Sequence, residues 1–98
     1  MTILIDPHIW TWRGRRWAHL VSDASYDELH RFAAELGLPD RAFHADHYDV
    51  PEDLRAEALA LGALPVDGRV LVRRLRAAGL RRRRVGPHDP IPDPSLEG

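Results

Sequence analysis

Apolar residues along this chain form short clusters that predict strands and helices in alternation. Residues 2–5 are an apolar, β-branched run that ends at Asp6, and they predict a buried strand. Residues 17–21 predict a second strand and residues 63–66 a further short one, while a strand over 43–49 would carry a group of polar side chains. We expect residues 8–16, between the first two strands, to form a loop or a lid.

Helix signals separate these strands. Ser25 and Glu28 form a capping box, in which the hydroxyl accepts from the backbone N–H of Glu28 and the carboxylate reaches back. The helix that follows ends at Gly37, and its apolar face holds Tyr26, Leu29, Phe32, Ala33 and Leu36. A second helix is expected to begin at Pro51 and end at Gly62, with Leu54, Ala58 and Leu61 facing inward. A third runs from a cap at Asp67 to Gly79, with Val70, Leu71, Leu75 and Ala78 as its apolar face.

Alternating strands and helices predict an α/β fold. Because helical crossovers usually join parallel strands, we expect a small single domain with a short, mostly parallel sheet of three to four strands and about three helices. This domain should span residues 1–80. Residues 81–98 should form an arginine-rich extension and a disordered tail, since residues 85–98 contain four of the eight prolines and little to bury.

Composition and charge restrict the protein class. The 98 residues include no cysteine, which excludes disulfides, thiolate ligands and a thiol nucleophile. The start lacks a signal peptide, and no apolar run approaches the roughly 18 residues of a membrane span, so we expect a cytoplasmic protein without a membrane partner. The net charge of −1 hides an acidic stretch over 1–68 and a run over 69–84 with eight arginines and no acid. That run fits an anionic partner such as nucleic acid, or a helix end that complements its own dipole.

A polar run over residues 44–49 contains two histidines and two aspartates. His47 and Asp49 are two apart, so on a strand they share a face. At the rim of an open α/β sheet they could meet Asp6 and His19, which would give a metal set of Asp6, His19, His47 and Asp49. This set suits one Zn, Mn or Fe ion with an open position for water, and His19, His47 and Asp49 are the candidate catalytic residues. Without a metal, either histidine could act as a general base. We expect His44 and Asp46 to be solvated.

Three tryptophans, at positions 10, 12 and 17, bracket three arginines. Aromatic and basic side chains in alternation are typical of surfaces that stack bases and neutralise phosphates. A loop attached to the core by its tryptophans would give the same pattern. In the first interpretation, Arg13, Arg15 and Arg16 would contact an anion or nucleic acid.

The chain resembles a small bacterial and phage family of unknown function, DUF4031, over roughly residues 1–75. The matching stretches are residues 17–23, 28–30, 32–33, 36–38, 47–50 and 62–63, together with Asp6, Arg55 and Val66. The resemblance supports the polar positions Asp6, His19, Asp23, His30, His47, Tyr48 and Asp49. It implies no reaction. Many relatives have a second acidic residue where this chain has Pro7, which argues against a carboxylate-rich site for two metals.

Three hypotheses follow for the function. The first is a divalent-metal-dependent hydrolase that acts on a phosphoester or nucleotide, with Asp23, His30 and Tyr48 behind the metal ligands or in contact with the substrate. The second is a non-catalytic module that binds nucleic acid or protein through its arginine-rich face. The third is a structural role for the polar cluster, as a satisfied hydrogen-bond network. A homodimer would be one way for so small a domain to enlarge its core.

Overall fold

Six strands form one sheet in the part of the chain that the computed structural model describes, which is residues 2–7, 10–12 and 14–82. Three α-helices and one 3₁₀ turn over Asp40–Ala42 accompany the sheet. The strands are β1 (Ile3–Ile5), β2 (Trp10–Trp12), β3 (Arg15–Ser22), β4 (Phe43–His44), β5 (His47–Pro51) and β6 (Leu64–Pro65). The helices are α1 (Tyr26–Leu36), α2 (Glu52–Ala60) and α3 (Gly68–Ala77). The predicted tail over 85–98 lies outside the described residues.

The sheet is mixed and mostly antiparallel, so the prediction of a mostly parallel sheet with three to four strands was wrong. Its order is β4-β5-β3-β1-β6, and β2 pairs with the first part of β3. Among the described strands only β1 and β6 pair in parallel. The α/β class and the three helices are confirmed.

Antiparallel hairpins explain why helical crossovers do not produce a mostly parallel sheet here. The strands before and after α1, β3 and β4, do point the same way, and so do β5 and β6 on either side of α2. These partners are not neighbours, however, because β5 turns back after β4 and inserts between β4 and β3. In the same way β1 lies beside β3 as an antiparallel strand. The expected loop over 8–16 contains another hairpin, in which β2 pairs with β3 through a turn at Gly14 (φ 74°).

The helix ends follow their local signals. Ser25 caps α1 by accepting from the backbone N–H of Glu28 at 3.1 Å, and Gly37 ends the helix in the left-handed region at φ 88°. The carboxylate of Glu28 accepts from the hydroxyl of Ser22 at 2.5 Å, so the return half of the capping box is made to a different residue. Asp67 caps α3 as predicted. Because α2 already ends at Ala60, Leu61 is 43% exposed and does not face inward.

The helices cover both faces of the sheet, and strand alternation decides which residues each face receives. On one face α1 and α2 pack over a core that includes Ile5, Leu20, Leu29, Tyr48 and Val50. On the other face α3 packs Leu71 and Leu75 against Leu4 and Val21. This second core is small, and a cleft lies between α3 and the sheet beside it. Residues 19, 47 and 49, in alternation with the first core, lie on that face.

Candidate metal centre

Two histidines and an aspartate meet on the α3 face of the sheet. His19 on β3 lies directly opposite Asp49 on β5, and His47 is two residues before Asp49 on the same strand. One ligand atom from each of His19, His47 and Asp49 falls within a group whose members are all within 4.8 Å of one another. The rings of the two histidines are edge to face, with centroids 4.9 Å apart. The fold therefore brings together three of the four residues that the sequence offered as metal ligands.

The fourth, Asp6, lies behind His19. Its Oδ2 accepts from Nδ1 of His19 at 2.7 Å, and its Oδ1 accepts from the backbone N–H of the same residue at 2.6 Å. Asp6 is almost fully buried at the end of β1, where the antiparallel register sets it beside β3. A carboxylate on one imidazole nitrogen fixes the tautomer and directs the other nitrogen outward, an arrangement that is typical of metal-bound histidine. The geometry thus favours Asp6 as an orienting residue over a direct ligand.

Asp46 holds His47 in the same way. Its Oδ1 accepts from Nδ1 of His47 at 2.9 Å, and its Oδ2 accepts from the backbone N–H of Arg82 at 2.8 Å and from the Arg81 guanidinium at 3.2 Å. The expectation that Asp46 is solvated was wrong, since only 1% of it is exposed. The reason is the tight turn between β4 and β5, where Ala45 has a φ of 58°, because this turn breaks the alternation assumed for a continuous strand.

His44 also differs from the solvated position expected for it. It pairs with His47 across β4 and β5, and its Nε2 is 3.1 Å from Oδ2 of Asp49. Its side chain stays 39% exposed. Both oxygens of Asp49 consequently face imidazoles, one from each strand.

Nε2 of His47 and Oδ1 of Asp49 are the atoms that most clearly indicate a ligand. They are 3.3 Å apart, within ion-pairing distance, and buried, yet neither has a partner with hydrogen-bond geometry among the described residues. Buried polar atoms are nearly always satisfied, and a cation held between these two would satisfy both. Burial lowers the pKa of His47, but the nearby carboxylates of Asp49 and Asp46 outweigh that effect, so the pKa is raised. The same negative potential would attract a metal ion.

A cleft of about 380 Å³ opens beside these residues, between the sheet and the start of α3. His19, His47, Asp6 and Asp46 line its polar side, and Leu71 belongs to its apolar side. Two imidazoles and one carboxylate form a donor set that suits Zn, Mn or Fe. The residues present therefore fit a single divalent metal ion with access to solvent.

Asp23 lies away from this centre. Its carboxylate accepts from the backbone N–H of Thr2 at 2.8 Å and from the Arg74 guanidinium at 2.5 Å. Burial raises the pKa of Asp23, but the bonds to Arg74 and Thr2 outweigh that effect and lower it. Since β1 and β3 are antiparallel, their carboxyl ends point in opposite directions, and Asp23 follows β3 at the end of the sheet opposite Asp6.

His30 and Tyr48 lie on the other face of the sheet. Nδ1 of His30 is 2.7 Å from the hydroxyl of Tyr48, whose ring is buried in the core below α1. Burial and the negative charge of Asp40 raise the pKa of Tyr48. The strand between them separates this pair from the candidate metal centre, so neither residue is positioned to contact a metal held there.

The structure describes two of the three arginines that were proposed as anion contacts. Arg15 and Arg16 are exposed at the start of β3, and Arg15 lines a second cleft that also reaches His44 and Asp49. Arg13 lies outside the described residues. Arg81, which the sequence placed only in a general basic run, lines the cleft at the metal centre. Neither Asp46 nor Arg81 could be assigned from spacing, because 35 residues separate them.

The chain matches one known protein family over most of its length. The family DUF4031, described as a protein of unknown function, matches residues 3–78. The chain belongs to this family, as the sequence resemblance implied. Searches of curated proteins and of solved structures gave no significant match. None of the helices in the described segments has the length and apolar composition to cross a membrane.

Proposed function

We propose that the protein binds one divalent transition-metal ion through His19, His47 and Asp49 and uses it to hydrolyse a phosphoester. The unsatisfied pair of His47 Nε2 and Asp49 Oδ1 carries this proposal. It is supported by the two buried carboxylates that orient the imidazoles, because a chance surface cluster needs no such support.

The chemistry follows from the number of ligands. Three protein ligands leave a coordination position for water, and a bound divalent ion lowers the pKa of that water toward neutrality. Asp6 and Asp46 keep the imidazole rings in one orientation, so little reorganisation is needed when the ion binds. The cleft beside α3 gives solvent a route to the centre.

Metal analysis of the protein without a histidine tag tests the binding step. We expect about one equivalent of Zn, Mn or Fe in the native protein, and its loss in His47→Ala and in Asp49→Asn. Matched controls are His30→Gln and Asp53→Asn, because His30 lies on the opposite face and Asp53 is exposed on α2. No bound metal, and no thermal shift with any of the three ions, would refute the metal site.

Hydrolysis needs its own assay. A chromogenic phosphomonoester and phosphodiester, such as p-nitrophenyl phosphate and its bis ester, are suitable probes. Turnover should require the metal, stop with a chelator and disappear in His47→Ala. A metal-loaded protein without turnover on any phosphoester would leave a metal-binding protein and refute the hydrolase.

A second candidate function is nucleic-acid binding through α3. Arg69, Arg73 and Arg76 line a groove of about 440 Å³ along this helix, and none of them pairs with an acid among the described residues. Binding of a nucleic acid there would weaken steeply with salt and would not respond to a chelator. Arg73→Ala should reduce it without changing the metal content.

A further inference from the structure

A second cleft, of about 500 Å³, has Asp49 in its lining. We name it the arginine cleft, after Arg15 and Arg41; its other polar residues are His44 and Asp49, and Trp17 lies on β3 within it. Its volume falls in the range of small-ligand sites. The arginine cleft and the candidate metal centre share Asp49, so a ligand bound in the cleft would lie beside that centre.

The described lining of this cleft holds two arginines and one aspartate. Arg15 and Arg41 are both exposed, and neither forms an ion pair with an acid in the described ranges. The single acid in the lining is Asp49, whose two oxygens already face His44 and His47. A guanidinium presents paired N–H donors that match phosphate oxygens. Two arginines in one cleft with Asp49 are side chains suited to a phosphate group.

Trp17 adds an aromatic element to the same cleft. It is two residues after Arg15 on β3, so the two side chains share a face, and it is partly buried beside Pro51 of β5. Further apolar lining comes from Leu38, Pro39 and Leu54. Nucleic bases stack on aromatic rings of this kind, whereas free phosphate gains nothing from them. The lining therefore has one part for a phosphate and another for a planar ring.

We infer that the arginine cleft binds a nucleoside monophosphate, with its phosphate on Arg15 and Arg41 next to the metal and its base against Trp17. This inference rests on the proposed metal site and names the substrate class for it. A phosphate ester without a planar ring would use only the arginines.

Calorimetric titration of the zinc-loaded full chain tests this assignment, with adenosine 5′-monophosphate and inorganic phosphate as the two probes. We expect the nucleotide to bind more tightly than phosphate. Arg15→Ala and Arg41→Ala should each weaken both probes about tenfold, which corresponds to one exposed charge-assisted contact. Trp17→Leu should weaken the nucleotide about tenfold and leave phosphate unchanged. Trp17→Phe, which keeps an aromatic ring, should retain most of the affinity.

Controls separate the possible outcomes. Arg31→Ala removes an equal charge from an exposed position on α1, outside both clefts, and should not affect either probe; thermal unfolding of each variant checks its fold. Equal loss in Arg31→Ala and Arg41→Ala would indicate non-specific electrostatics and overturn the inference. So would zinc binding without nucleotide binding, which leaves the metal site intact. Nucleotide binding that depends on Arg15, Arg41 and Trp17 in a protein that takes up no metal would support the cleft and refute the metal site alone.

Discussion

Replacement of Asp46 by asparagine tests the central feature of the site, because one carboxylate there serves three donors. Asp46 accepts from Nδ1 of His47, from the backbone N–H of Arg82 and from the Arg81 guanidinium. Asparagine has nearly the same shape but only one acceptor oxygen. In one orientation its NH2 group faces Nδ1 of His47, and in the other it faces the donors of Arg81 and Arg82.

The size of the effect can be worked from these contacts. Hydrogen bonds to a buried charged acceptor contribute about 1.5–3 kcal/mol each, whereas the half-exposed Arg81 adds less than about 1 kcal/mol. Losing one buried bond and placing donor against donor should cost about 2–3 kcal/mol of unfolding free energy. For a domain of this size, that lowers the melting temperature by on the order of 10 °C or more. Because His47 would have at best an uncharged amide as its orienting partner, metal affinity should also fall ten- to a hundredfold.

Two measurements check this prediction separately. Thermal unfolding followed by circular dichroism, with a chelator present, gives the stability of the metal-free protein. Competition with a chromogenic chelator gives the zinc affinity. Asp53→Asn is the matched control, since this exposed carboxylate on α2 makes none of these bonds. A variant as stable as the native protein would refute the energetic reasoning. Reduced stability with unchanged zinc affinity would show that Asp46 does not orient His47.

Three further predictions concern other parts of the molecule. Asp6→Asn should weaken metal binding ten- to a hundredfold in the same competition assay, and unchanged affinity would mean that Asp6 does not orient His19. Leu75→Ala should lower the unfolding free energy by about 2–5 kcal/mol, because this fully buried side chain belongs to the small core below α3. Urea titration measures this loss, and a loss under about 1 kcal/mol would show that the core collapses around the gap. Asp23→Asn should destabilise the protein near pH 7, where Asp23 is ionised and pairs with Arg74. Since folding lowers the pKa of Asp23, this difference should shrink as the pH falls below about 4 and the native carboxylate is protonated; a difference independent of pH would contradict the ion pair.

The local parts of the fold were predictable because each depends on a few neighbouring residues. Ser25 caps α1 and Asp67 caps α3, and Gly37 ends α1, all through bonds that span three to five residues. The register of side chains on β5 was equally local. His47 and Asp49 share a face because successive side chains on a strand alternate.

The sheet order and the completed site depended on contacts between distant parts of the chain. Both helical crossovers joined strands that point the same way, but nothing near β3 in the sequence indicates that β5 would insert beside it. That antiparallel insertion pairs His19 with Asp49, and the antiparallel pairing of β1 with β3 moves Asp23 to the far end of the sheet.

Composition and short-range pattern establish which chemical groups the protein can use: imidazoles and carboxylates, without thiols, on short strands between capped helices. How these groups divide into roles depends on the tertiary structure. Asp6 and Asp46 became the buried partners of two histidines, and Arg81, after α3, reached Asp46 across 35 residues. The physical reason is that hydrogen bonds and alternation act locally, whereas strand order follows from burial of the two sheet faces, which involves the whole chain at once.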